Sequence, residues 1–475
     1  MKSRISWALL ALMFCLPGLS QAAMAPGRDC HLPGSQESLR CHAIAVSLDP
    51  QRQDGTQLQL HVTVAPAFRQ GASKDPLFVL AGGPGQAGSD LVALLGPVFQ
   101  RVRATRDIVF IDQRGTGLSG KLRCPGAPVG EATSDAALHA AFARCIGTLP
   151  HPLGFYTTAH AAHDLERVRL ALGYGKVNVF GGSYGTRLGQ SYARSYPGSV
   201  RALILDGVAA PERVIPVAAA SAQRALDGVF ARCAADAACA DAFPGLRAEF
   251  DTLLARVNAG SVTLAFAHPR TAQPTRLPLS NMHFVYTIQR SLYSARDSHR
   301  LPYLIHSAHQ GNWGPFLARS HADTDYSPEG PLAMPLLVAI LCAEDIPRLT
   351  LEQREADERG SFLRGHAQRL AALCPLAGVS AAATPPNTPI HAPVLLLSGA
   401  LDPVTPPDGA TSAARTMTHA QHLVARHAAH GVSNLGDTPR LLRAFLDEPT
   451  RALDKRGLDD IPLPPFQLDH AGTHP

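Results

Sequence analysis

Alternation of apolar and polar residues marks the first elements of the chain. Positions 43–48 and 57–64 alternate on either side of the turn-forming stretch from Asp49-Pro50 to Gly55, which predicts an antiparallel hairpin with one buried face. The pattern then changes. Leu77–Leu80, Ile108–Ile111, 177–180 and 203–205 are short apolar runs bounded by Gly, Asp or Asn, as strands buried on both faces require. Segments of helical period lie between them: 161–172 places Leu165, Val168 and Leu172 on one face, and 184–196 follows the third apolar run directly. Alternating strands and helices predict an α/β fold with a mostly parallel sheet and right-handed crossovers.

After Pro211 the pattern becomes helical and irregular, with alanine-rich stretches over 217–240, a helix predicted over 245–258, and aromatic-rich segments near 283–317. This reads as an inserted, mainly helical lid, closed by the turn-rich Thr384-Pro385-Pro386-Asn387-Thr388-Pro389. Strand signals return at 394–397 and 421–425, and a terminal helix is expected over 439–446. The expected organisation is a first core segment 23–212, a lid 213–388 and a second core segment 389–475. No internal repeat is visible.

Residues 1–22 combine Lys2 and Arg4, an apolar run over 5–16, the breaker Pro17-Gly18, and small Ser20 and Ala22, the pattern of a secretory signal peptide. The run is too short for a bilayer span of about 20 residues, and no later segment qualifies, so stable membrane insertion is not expected. Export places the mature chain in the periplasm or the medium. Loss of Cys15 with the signal leaves Cys30, Cys41, Cys124, Cys145, Cys233, Cys239, Cys342 and Cys374, an even set in an oxidising compartment. Eight cysteines permit roughly a hundred connectivities. The sequential pairing 30/41, 124/145, 233/239 and 342/374 closes short local loops and is preferred. No CxxC pair suggests zinc, and no metal site is expected. Among 475 residues, 45% are hydrophobic and 17% charged, which fits a globular chain. A net charge of +5, scattered along the sequence, argues against a nucleic-acid partner.

Gly181-Gly182-Ser183-Tyr184-Gly185 follows the apolar run at 177–180 and precedes a helix, the context in which GxSxG presents a serine on a strained strand-to-helix turn. A serine hydroxyl needs a base and an orienting acid, expected downstream in the order acid, then histidine. Asp402, in the loop Ser398 to Pro407, and His430, in Ala429-His430-Gly431-Val432-Ser433, meet that order at the ends of successive strands. Asp206 is the rival acid and His427 the rival base. Two backbone amides would form the oxyanion hole, from Tyr184 and from Gly83 in Leu80-Ala81-Gly82-Gly83-Pro84-Gly85. The last loop also contains a literal GxGxxG over 83–88, with Asp112 closing the next strand, the pattern of a dinucleotide site. An internal proline, the expected export and the failure to use Ser183 weigh against that reading.

Taken together, Ala81-Gly82-Gly83-Pro84-Gly85, Asp112-Gln113-Arg114-Gly115-Thr116-Gly117-Leu118-Ser119, Gly181 to Arg187 and the Asp402 and His430 loops resemble the proline iminopeptidase and tripeptidyl aminopeptidase family of α/β-hydrolase serine peptidases. The resemblance implies an α/β-hydrolase fold and an exopeptidase acting on peptides with a free N-terminus, releasing one to three residues. It also implies a Ser183, Asp402 and His430 triad, oxyanion donors at Gly83 and Tyr184, and no cofactor. Cytosolic proline iminopeptidases typically carry a histidine where this chain has Ala81 and a tryptophan where it has Tyr184. The secreted tripeptidyl branch is the closer match, and its Cys-x-Glu-Asp segment recurs as Cys342-Ala343-Glu344-Asp345. By that resemblance Glu344 or Asp345 grips the substrate ammonium, and Asp112 and Arg114 are expected to be structural. An ester hydrolase using the same triad is the main alternative, and a binding protein on an inactive hydrolase scaffold is a further one.

Overall fold

The structure is a computed structural model that describes residues 27–52, 55–69, 75–124, 134–267, 272–320, 332–383 and 388–472. The signal segment at 1–22 and most of the proline-rich junction, 384–387, lie outside the described residues. The core strands are Arg28–Cys30 (β1), Leu39–Ser47 (β2), Gln57–Ala65 (β3), Leu77–Leu80 (β4), Ile108–Ile111 (β5), Val177–Gly182 (β6) and Val200–Asp206 (β7). Thr263–Ala267 (β8) and Pro274–Pro278 (β9) form a hairpin in the lid, and Val394–Gly399 (β10) and Ala420–Ala425 (β11) return to the core.

Among the described residues nine strands make one sheet in the order β1-β2-β3-β5-β4-β6-β7-β10-β11. The expected hairpin forms from β2 and β3, with Ile44 opposite Leu60 and His42 opposite Val62. It joins the rest through the antiparallel pair β3 and β5, and every pair from β5 to β11 is parallel. The continuous apolar runs behave as anticipated, for β4, β5 and β10 are buried along their whole length. Phe78, Leu80 and Val109 face the layer containing helices Thr158–Ala171 and Tyr184–Ser195. Their neighbours Leu77, Val79 and Ile108 face the opposite layer, which Thr438–Asp447 closes with Leu441, Leu442 and Phe445.

The inserted region is mainly helical and has its own apolar core, including Leu226, Phe250, Phe284, Ile305 and Phe316. Sequence periodicity missed its hairpin because Pro274 and Pro278 at the ends of β9 read as breakers. It also missed β1, which at three residues is too short to show a period. The four disulfides follow the sequential pairing: Cys30 with Cys41, Cys124 with Cys145, Cys233 with Cys239 and Cys342 with Cys374. The C-terminal tail returns to the lid, where Phe466 stacks on His299 at 4.1 Å and Gln467 N–H donates to the His299 carbonyl.

Beside the sheet, Arg114 makes a two-pronged ion pair with Asp164, both contacts at 2.7 Å, and donates to the carbonyls of Ser47, Leu48 and Phe155. Asp112 accepts from Ser89 N–H, Ser89 Oγ and Leu118 N–H. Both residues tie loops together, as expected. Arg114→Met would strand the Asp164 carboxylate in the interior, so a loss of about 3–5 kcal/mol is expected. Denaturant unfolding measures it, and a wild-type midpoint would show that the network is dispensable.

Candidate active site

Ser183 sits at φ 54°, ψ −123°, a left-handed conformation that side-chain-bearing residues avoid, at a cost of about 1–3 kcal/mol. The flanking glycines explain how so sharp a turn fits. A Cβ on Gly181 would lie 2.4 Å from the Gly185 carbonyl oxygen, and one on Gly185 would lie 2.3 Å from that of Leu80. Ser183 N–H donates to the Asp206 carbonyl at 2.9 Å, and Thr186 Oγ1 donates to the Ser183 carbonyl at 2.6 Å. The loop after β4 reaches the same point, since a Cβ on Gly82 would stand 3.0 Å from Ser183 Cβ. Gly83, Pro84, Ser183 and Tyr184 line one cavity. The GxGxxG stretch thus belongs to this site: a Cβ on Gly88 would collide with Ile111, and the Asp112 carboxylate is already occupied by Ser89 and Leu118.

Asp402 and His430 meet across the ends of β10 and β11. His430 Nδ1 lies 2.8 Å from Asp402 Oδ2, which also accepts from Thr405 Oγ1 at 2.8 Å. Val404 and Thr405 N–H groups donate to Oδ1, each at 2.8 Å, so the carboxylate is buried but fully solvated by the protein. Burial pushes the Asp402 pKa up, yet His430 and these donors outweigh it and hold the group below the usual carboxylate range. For His430, burial pulls the pKa down, while the charge and hydrogen bond of Asp402 prevail and leave it raised. The lid steadies this histidine: the Tyr293 ring packs edge-on at 4.9 Å, and His430 N–H donates to the Tyr293 carbonyl at 3.0 Å. The rival acid Asp206 accepts instead from Val432 and Ser433 N–H groups and so anchors the His430 loop. His427 is turned to the Ile461 carbonyl, 2.8 Å from its Nδ1.

The cavity above Ser183 has a volume of about 450 Å³ and is walled largely by lid residues, among them Met282, Leu337, Leu341 and Leu373. The two acids proposed for the ammonium part company here. Asp345 is fully buried and occupied by Arg187 (2.9 Å), Arg348 (3.3 Å) and Ile215 N–H (2.9 Å), so no oxygen is presented to a substrate. The expectation for Asp345 is corrected on that ground. Glu344 caps the helix Thr158–Ala171, accepting from Thr158 N–H and Thr158 Oγ1 at 2.7 Å each, and Thr158 Oγ1 also meets Tyr184 Oη at 2.8 Å. Among the described residues no cation forms an ion pair with Glu344, and burial raises its pKa against the pull of Thr158 and Arg187. Thr158, Tyr293 and Thr405 were not singled out from sequence, because nothing marks an isolated threonine or tyrosine as a support for a distant side chain. Among the described residues no cluster of His, Cys, Asp and Glu could hold a metal, and no helix is long and apolar enough to cross a membrane.

Residues 75–242 match the α/β hydrolase fold family, and 363–455 match the TAP-like protein family. The chain is 32% identical over 225 residues to the serine protease Hip1 of Mycobacterium tuberculosis, a match covering 42% of each protein. It is 32% identical over 208 residues to the tripeptidyl aminopeptidase of Streptomyces lividans, covering 39% of this chain and 37% of that one. Against the proline iminopeptidase of Neisseria gonorrhoeae it is 33% identical over 134 residues, covering 28% and 32%. The matches therefore span less than half the length of these curated relatives. The fold class is that of the α/β hydrolases. Each match covers only part of the chain, and together they show likeness to α/β-hydrolase-fold serine peptidases related to proline iminopeptidase and tripeptidyl aminopeptidase.

The glycine contacts predict unequal tolerance across the motif. A Cβ on Gly182 meets only Phe180 at 3.9 Å, so Gly182→Ala should keep wild-type thermal stability. Gly185→Ala forces backbone apart and should cost more than about 2 kcal/mol. Thermal melts of the two variants compare them directly, and equal melts would contradict the packing described.

Proposed function

We propose that the chain is an exported serine exopeptidase that hydrolyses the amide bond after one to three N-terminal residues of a peptide. The observation that carries this reading is the Asp402 and His430 pair, 2.8 Å apart, in the same site as a serine held at positive φ under a lid. Ser183 attacks the scissile carbonyl, His430 accepts its proton and returns it to the leaving amine, and Asp402 fixes the imidazole tautomer. Backbone N–H groups of Gly83 and Tyr184 receive the oxyanion. Water then hydrolyses the acyl-enzyme. Glu344 answers the substrate ammonium from just behind the cavity wall, which it reaches through Thr158 and the Tyr184 hydroxyl, since a desolvated carboxylate without an ion-pair partner among the described residues gains one on binding. Residues 213–388 act as the lid that sets cleft depth, and four disulfides suit an oxidising destination.

The decisive assay compares arylamides of one, two or three residues, each with a free or acetylated N-terminus, alongside a simple acyl ester. Cleavage confined to free amines is expected. Indifference to acetylation, or turnover of the ester alone, would replace this reading with an ester hydrolase. Ser183→Ala should abolish turnover with little change in melting temperature. Glu344→Gln keeps an oxygen for Thr158 but removes the charge, so it should raise KM for free-amine substrates while sparing kcat.

The pH profile follows from His430. Only neutral imidazole accepts the serine proton, and its pKa is raised in the folded protein, so activity is lost as pH falls through a midpoint above the ordinary value of about 6.5. Asp402→Asn should cut kcat by about 10⁴-fold and move that midpoint to lower pH. A limb unmoved by this substitution would remove Asp402 from its role.

A further inference from the structure

Charge on the cavity wall is one-sided. Arg213, Arg290 and Arg319 line it, and among the described residues no Asp or Glu does. Arg319 is held by Asp297 at 2.8 Å, and Arg290 also has a partner. Arg213 is fixed by its backbone instead. Its carbonyl accepts from Arg187 at 2.5 Å and Arg348 at 3.5 Å, the two guanidiniums that grip buried Asp345, and Asp345 in turn accepts from Ile215 N–H. The segment is thereby locked while the side chain reaches the cavity.

The Arg213 guanidinium is short of partners. Its side chain is 19% exposed, yet its ion-pair partner Asp408 is 3.8 Å away and 75% exposed. Among the described residues its one other side-chain bond is to Ser221 Oγ at 3.3 Å. Arg114, equally charged, satisfies its donors with a two-pronged carboxylate and three carbonyls. Burial and the nearby Arg224 and Arg187 depress the Arg213 pKa, while Asp408 and Asp402 oppose this. A desolvated cation beside a solvent-exposed, easily displaced counterion favours an incoming anion, and the planar fork of a guanidinium matches a carboxylate.

We propose that Arg213 binds a carboxylate of the substrate, on the leaving side, so that peptides with a free C-terminal carboxylate close to the scissile bond are preferred. The proposal rests on the peptidase reading above. Val404, Thr405 and Arg213 all line the cavity, Arg213 pairs with Asp408 just beyond that loop, and Asp402 is among the charges acting on its guanidinium, which sets it on the Asp402 and His430 side of the site. His430 delivers a proton from Nε2 to the leaving amine, so a leaving residue held on that side of the site comes toward Arg213. An acidic side chain within the released residues offers the same chemistry from the other side of the bond.

Titration calorimetry on Ser183→Ala protein tests this without turnover. The probes are tetrapeptides as the free acid and the C-terminal amide, and amidated tetrapeptides with Glu or Gln among the first three residues. The acid should bind on the order of ten- to hundredfold more tightly than the amide. That ratio should fall to about one in Ser183→Ala/Arg213→Gln and be partly kept with Arg213→Lys. A preference for Glu over Gln that depends on Arg213, with none for the acid, would overturn the leaving-side assignment. Equal affinities throughout the parent protein, or no binding by either form, would overturn the proposal, whatever the fate of the Arg213 variants. Peptides that bind as expected but are not cleaved by the unmutated chain would leave the carboxylate site standing and remove the peptidase reading instead.

Discussion

The absence of two β-carbons sets the geometry on which the site depends. Leu80, at the end of β4, is paired with Gly181 in β6, and the Leu80 carbonyl lies where any side chain on Gly185 would begin. Only glycine lets the strand turn into a helix against its neighbour at that distance. The turn in turn forces Ser183 into positive φ, and the strain persists because Asp206 and Thr186 hold the serine backbone from two sides. Asp206 does this with its carbonyl while its carboxylate holds the amides of Val432 and Ser433. One buried residue at the end of β7 therefore positions both the serine turn and the histidine loop.

Charges buried around this frame fall into two groups. Asp164 with Arg114, Asp345 with Arg187 and Arg348, and Asp402 with His430 are paired at hydrogen-bonding distance, as burial demands. Asp112, Asp206 and Glu344 instead accept from neutral donors, and Arg213 faces a distant, exposed counterion. Structural pairs are complete in themselves. Glu344 and Arg213, of opposite sign, are both joined through their backbone carbonyls to Arg348, which pairs with Asp345.

Much of this was legible in the sequence, and the reason differs by element. The apolar runs at β4, β5 and β10 reveal themselves because both faces are buried and no alternation interrupts them. The GxSxG turn reveals itself because sterics tolerate no other residues at its outer positions. Asp402 and His430 stand at the ends of successive strands, in an order that the α/β topology dictates. What stayed hidden depends on tertiary contact: Asp345 and Glu344 are adjacent in the chain, yet one points to Arg187 and the other to Thr158, and no local pattern separates them. The β8 and β9 hairpin was hidden because its prolines signal breaks as strongly as its alternation signals strands.

The lid does more than cover the cleft, because it touches the machinery through its backbone. Tyr293 offers its carbonyl to His430 N–H, and Ala333 N–H donates to the Gly85 carbonyl in the loop that carries Gly83. A shift of either lid segment would therefore be felt at the His430 loop and at the loop from Gly82 to Gly85. The C-terminal tail adds a restraint from the core side, through Phe466 on His299 and Gln467 on the carbonyl beside it. Cys342 and Cys374 add another, joining the turn that bears Glu344 to the segment that follows Leu373 on the cavity wall. The shape of the cavity and the placement of His430 are consequently coupled in this fold: the region that walls the cavity is the one whose Tyr293 holds the His430 backbone and packs on its ring.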